Sequence, residues 1–180
     1  EDYEAQEGWY RWTYRVEDLD TERMLKILQL RYAVNEKLIL TQKGDDFISQ
    51  PIEELGNVYD IQICKREAGG VADELLIYTD IAVYKVITEL NIRYILNDGY
   101  SLVKRGDGIA VEMNSLLPSA FISLELIKED DFVIGYEIYG GGFGHGAGMS
   151  QNAAKAMAKD GMSAEEILTF FFEDCIVKSK

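Results

Sequence analysis

The chain has 180 residues, 47% hydrophobic and 28% charged, a composition that supports one globular core and a single domain across 1–180. With 32 acidic against 18 basic side chains its formal charge is −14, which opposes association with phosphate backbones and excludes nucleic acid as a partner class. No apolar run approaches the roughly 20 residues that cross a bilayer, and the acidic start has neither the cationic nor the apolar part of a signal peptide, so no membrane contact is expected of this segment.

The chain begins at Glu1 rather than Met, which leads us to expect a processed or trimmed precursor. From Trp9 to Val16 aromatic and β-branched residues alternate with polar ones, predicting a strand. Asp20 then suits an N-cap, Leu19 and Met24 are placed as a hydrophobic staple, and Met24, Ile27, Leu28 and Tyr32 recur at helical spacing. Val58 to Lys65 reads as a strand, Gly69-Gly70 as a turn, and Val71 to Thr79 with Ile81 to Ile87 as two further strands.

Thr88 to Leu96 has the pattern of a short helix closed by Asn97-Asp98-Gly99, and Ser101 to Val111 that of a hairpin turning at Gly106-Asp107-Gly108. Phe121 to Ile127 and Phe132 to Tyr139 return to strand composition. Gln151 to Lys159 is rich in alanine and stops at Gly161, and Ser163-Ala164-Glu165-Glu166 has capping-box spacing ahead of a last helix carrying Ile167 to Phe172. The fold class is therefore α+β, a mainly antiparallel sheet with several helices.

Cys64 and Cys175 are expected as buried single thiols, with one disulfide between them open in an exported protein. A lone histidine and no close cysteine pair predict no metal site, and no cofactor motif is present. The acidic cluster from Glu1 to Glu7 reads as solvated surface.

Between the last strand and the alanine-rich helix lies Gly140-Gly141-Gly142-Phe143-Gly144-His145-Gly146-Ala147-Gly148-Met149-Ser150-Gln151, glycine at six of its first nine positions. Such density exceeds what a connector needs and leaves bare backbone that a ligand can approach. The segment runs into a predicted helix N-terminus, whose outward amides favour an electronegative oxygen. His145, between two glycines, is placed to donate, accept or exchange a proton, while Ser150 and Gln151 stand at the helix entrance, where Ser150 also suits an N-cap. Phe143, Gly144, His145, Gly146, Met149, Ser150 and Gln151 are the candidate substrate-binding residues.

A serine hydrolase does not fit, because Gly148-Met149-Ser150-Gln151-Asn152 lacks the second glycine of the nucleophile elbow. Gly142 to Ala147 satisfies the loose dinucleotide pattern, but only about thirty residues follow, with helix signals rather than a second strand, so no βαβ unit is completed.

The run from Gly142 to Gln151, followed by Ala153-Ala154-Lys155-Ala156-Met157-Ala158, resembles the closing signature of the SpoIID/LytB family, roughly G-[FW]-G-H-G-V-G-M-S-Q before a G-A-x-x-M-A helix. Asn91-Ile92-Arg93 and Leu117-Pro118-Ser119-Ala120-Phe121 look like its N-I-R and L-x-S-x-x-F segments, and Gly161 with Glu166-Ile167-Leu168 extend the likeness. Three departures stand out: Ala68-Gly69-Gly70-Val71 where relatives often have S-G-R-V, Gly141 where arginine is frequent, and Ala147 in place of valine.

The resemblance implies the C-terminal part of a domain acting on peptidoglycan glycan strands outside the cytoplasm, as the sporulation lytic transglycosylases and the amidase-enhancer proteins do. Peptidoglycan and a wall amidase are its implied partners. Lytic transglycosylation requires one carboxylic acid that protonates the glycosidic oxygen and then takes a proton from the sugar's own hydroxyl. The family's helix reading like E-A-L-K-A-Q-A-V-A-A-R has no counterpart here, which places the acid upstream; inside the chain Glu22 and, on the strand feeding the glycine segment, Glu137 are the candidates. The rival expectation is a non-catalytic wall-binding or amidase-enhancing module.

Overall fold

A computed structural model describes residues 3–172 and 175–178. In chain order the elements are β1 (Trp12–Val16), α1 (Thr21–Val34), β2 (Ile39–Lys43), β3 (Asp46–Ile48), β4 (Val58–Arg66), β5 (Ala72–Thr79), β6 (Val83–Ile87), α2 (Glu89–Ile95), β7 (Leu102–Arg105), β8 (Ala110–Glu112), β9 (Ile122–Glu129), β10 (Phe132–Gly140), α3 (Gln151–Lys159) and α4 (Ala164–Phe171). The class is α+β, built on two five-stranded antiparallel sheets ordered β8-β7-β1-β10-β9 and β3-β2-β6-β5-β4.

The alternation that predicts β1 sets its faces: Trp12, Tyr14 and Val16 are buried while Arg15 is exposed. Its antiparallel register opposes Trp12 to Gly140 and Tyr14 to Ile138, so the first sheet delivers the end of β10 directly above the Trp12 indole. Helices α1 and α2 carry the chain from one sheet to the other and back. Asp20 caps α1 by accepting from the Arg23 amide at 2.8 Å, and Met24 and Leu28 turn into the core, as the helical spacing predicts. Helix α2 buries Ile92 and Ile95 beside β5 and β6.

One cluster of buried side chains runs through both sheets, from Trp12, Tyr136 and Ile138 to Leu75, Ile77 and Val86. Around it lies a polar tie. The Tyr14 hydroxyl donates to Asp98, the Asp98 amide donates back to Tyr14 Oη at 2.8 Å, and Ser101 Oγ donates to the same carboxylate at 2.6 Å. Burial pushes the Tyr14 phenol well above its ordinary range, with the Asp98 hydrogen bond adding to it. Burial also raises Asp98, but the bonds from Ser101 and Tyr14 outweigh it and hold the carboxyl below the usual carboxylate range.

Several elements depart from expectation. Strand β1 starts at Trp12 rather than Trp9: the carbonyl of Trp9 accepts from Gly142 and that of Arg11 from Gly106, so this stretch pairs with loops instead of a ladder. The β2–β3 hairpin was not foreseen, because Leu38-Ile39-Leu40 is contiguous rather than alternating and the turn at Gly44-Asp45 is followed by a three-residue strand. The buried-thiol expectation fails as well, since Cys64 is exposed and Cys175 half-buried, and both are free rather than joined. Cys64 falls on the outward face of β4 with Gln62, because strand alternation turns Ile61 and Ile63 inward and the residues between and after them outward.

Candidate functional site

The glycine segment leaves β10 and is stitched, residue by residue, to two other parts of the chain, the Trp9–Trp12 and Pro118–Phe121 stretches. The Gly141 amide donates to Phe121 O at 3.0 Å, that of Gly142 to Trp9 O at 2.8 Å, and that of Gly144 to Pro118 O at 2.9 Å. The same two stretches also donate to it, Trp12 Nε1 to Gly142 O at 3.0 Å and Ser119 Oγ to Gly141 O at 2.7 Å. A segment with few side chains of its own is thus fixed through its backbone, which satisfies the polar groups that glycine leaves uncovered.

Beneath it the Leu117–Pro118 segment is held from the core. Arg93, buried on α2, donates through Nε to Leu117 O at 2.8 Å and through Nη2 to Pro118 O at 3.1 Å, and pairs with Glu89 at 3.2 Å. The Pro118 carbonyl therefore receives both the buried guanidinium and the loop amide of Gly144. Gly146 has φ of +79°, and a Cβ there would stand 2.4 Å from Val71 Cγ2, so both conformation and space demand glycine.

All seven predicted site residues line one cavity of about 590 Å³. His145 is exposed, and its Nδ1 accepts the Ala147 amide at 2.9 Å; the proton of the neutral ring then resides on Nε2, free to donate outward. Phe143 is 61% exposed and its ring lies against Trp9 with centroids 4.9 Å apart, forming an aromatic wall. Ser150 does act as the N-cap of α3, accepting from the Ala153 amide at 3.2 Å, and its hydroxyl simultaneously donates to the Glu4 carboxylate. Gln151 opens α3 and is exposed.

The acidic N-terminal cluster is not merely solvated surface, since Glu4 and Glu7 both line this cavity. No sequence signal pointed to them, because the approach is made by an N-terminal turn region, with Glu4 lying 146 positions from its partner Ser150. The two in-chain acid candidates lie elsewhere: Glu137 pairs with Arg15 at 3.0 Å, Glu22 sits in the first turn of α1, and neither lines the cavity. Among the described residues no cluster of three or more His, Cys, Asp or Glu is arranged to hold a metal ion.

A second cavity, about 640 Å³, adjoins the first. Phe121 and Gly141 line both, and a Cβ on Gly141 would lie 3.2 Å from Phe121 Cδ1 and 3.2 Å from Arg11 Nη1, so bare backbone keeps the neck open. Its walls include Trp12, Tyr139, Arg11, Arg66, Lys104 and Arg105, none of which the sequence had marked as functional.

Comparison of the chain with family models, with curated proteins and with solved structures gives no match. Function is therefore argued from the residues and their geometry. Among the described residues no helix is long and apolar enough to cross a membrane.

Proposed function

We propose that this chain forms the saccharide groove of a peptidoglycan-processing protein of the SpoIID/LytB kind, acting outside the cytoplasm on glycan strands. The observation that carries the reading is the open cavity along the glycine segment, which the exposed His145 lines together with the Phe143–Trp9 pair. Sugars bind to such surfaces through hydrogen bonds to hydroxyls and through contact of their C–H faces with aromatic rings. The second support is physical coupling. Arg93 and the Leu117 to Phe121 segment, which share the resemblance with the glycine run, are bonded to it or to its supports.

In this role His145 and Gln151 hydrogen-bond sugar hydroxyls, Phe143 and Met149 supply apolar contact, and Gly144 and Gly146 let the strand approach the backbone. Ser150 holds the helix entrance and orients Glu4. With Glu22 and Glu137 remote, proton donation to the glycosidic oxygen falls to Glu4 or Glu7 in the cavity or to an acid upstream. A wall-binding, amidase-enhancing module is favoured by one specific observation: Glu4, the carboxylate in contact with the helix entrance, is already engaged by the Ser150 hydroxyl.

Purified sacculi and soluble glycan strands test the reading. Binding should fall about tenfold in Phe143→Ala and in His145→Ala with an unchanged thermal midpoint. Release of anhydro-muropeptides, abolished by Glu4→Gln, assigns the acid to this chain; retention on sacculi without release assigns the module. Absence of any binding to either substrate overturns the groove.

A further inference from the structure

The second cavity has a charge opposite to that of the molecule. The chain carries −14, yet four of its 18 basic residues, Arg11, Arg66, Lys104 and Arg105, gather around one cavity in which no lining residue is acidic. Three of them have no carboxylate partner among the described residues. Arg66 donates to Gly70 O and Ile122 O, both at 2.8 Å; Arg11 donates to Tyr10 O at 2.7 Å and lies over the Tyr10 ring; Lys104 is exposed and makes no ion pair with any described residue. Arg105 is neutralised by Asp107, but its Nε is buried without an acceptor. A buried donor left unmatched costs free energy unless a ligand atom meets it.

We propose that this cavity is an anion subsite that takes a carboxylate carried by the strand seated on the glycine segment; the inference rests on the saccharide reading above. The two cavities share Phe121 and Gly141, so a polymer lying along the glycine run passes the neck beside Arg11 Nη1. Peptidoglycan bears, on alternate sugars, a short peptide with small apolar side chains and free carboxylates. The lining suits that appendage: Trp12, Phe121 and Ile122 offer apolar contact, and the cations stand around them. Within an acidic protein, which repels anions at long range, such a local reversal of sign selects where along the strand an anion is admitted.

Calorimetric titration of the full chain provides the test, with three ligands: glycan strands carrying their peptides, strands stripped of peptides, and peptide-bearing strands whose carboxylates have been amidated. Peptide-bearing strands should bind about five- to tenfold more tightly than stripped or amidated ones, and the preference should shrink as salt is raised. In an Arg11→Gln/Lys104→Gln double variant the preference should vanish while affinity for stripped strands is retained, which also certifies the fold. Equal binding of peptide-bearing and stripped strands overturns the subsite and leaves the groove standing. Failure of all three to bind overturns the groove and the subsite with it. Displacement of peptide-bearing strands by inorganic phosphate but not by acetate at equal concentration also overturns the subsite, because the cations then select phosphate.

Discussion

Two cavities of similar size, about 590 and 640 Å³, meet at Phe121 and Gly141 and differ in almost every other respect. The one along the glycine segment is walled largely by backbone, with Glu4, Glu7, the Tyr10 phenol and a single imidazole as its ionisable groups. Its neighbour is walled by strand side chains, with four cations and no acid. The first is shaped by where side chains are missing, and the second by where charge has been collected. Shape and charge are thus separated between two adjoining cavities.

The largest expected effect removes the support of both halves. Arg93→Met strips two buried carbonyls and Glu89 of their cationic partner, and the loss should be about 3–5 kcal/mol in chemical denaturation. Because Arg93 holds Leu117 and Pro118, strand binding and anion preference should fail together; survival of either separates the cavities more deeply than the hydrogen bonds imply.

Gly146→Ala acts on one half alone. A side chain at φ of +79° that also meets Val71 should cost about 2 kcal/mol and weaken binding to stripped strands, a change visible in the melting curve and in the titration. If stripped-strand affinity is untouched, the backbone of this turn is not part of the groove.

Acid is expected to unsettle both halves through Asp98. Its folded carboxyl titrates below its unfolded value of about 3.9, so its stabilisation is present above that pH and is lost as pH falls through the lower folded value. Asp98→Asn should flatten the decline in thermal midpoint between about pH 4 and pH 2, and an unchanged slope would assign acid sensitivity to other carboxylates.

The smallest effect concerns the partition. Phe121 is 45% exposed, so Phe121→Ala should cost less than about 1 kcal/mol. It should nevertheless blur the distinction between peptide-bearing and stripped strands, because the ring lines both cavities. Retention of the full preference in that variant would mean the neck is set by Gly141 and Arg11 without it.

The sequence made the helices and the site segment legible for the same reason: each is local. Asp20, Ser150 and Ser163 announce helix starts through bonds that span three residues, and all three caps are present, Ser163 with Glu166 as a full capping box. Glycine at alternate positions announces bare backbone without any knowledge of the partners. The cationic cavity was illegible because its residues come from β1, β7, β9 and β10 of one sheet, from β4 of the other and from the loops beside them, and only tertiary packing brings them together. Glu4 was hidden likewise, by a contact with Ser150 across 146 positions. The short β2–β3 hairpin escaped because three consecutive apolar residues do not reveal which face they present.

The shared Pro118 oxygen has a further bearing on motion. Since a guanidinium rooted in α2 and the Gly144 amide grip the same acceptor, the glycine run is not a surface flap hinged at its ends but an outlying member of the cooperative unit that contains α2. Deuterium should therefore replace the Gly144 amide hydrogen at a rate close to that of the α2 amides, and a polymer would meet this part of the groove already set, with little ordering left to be done.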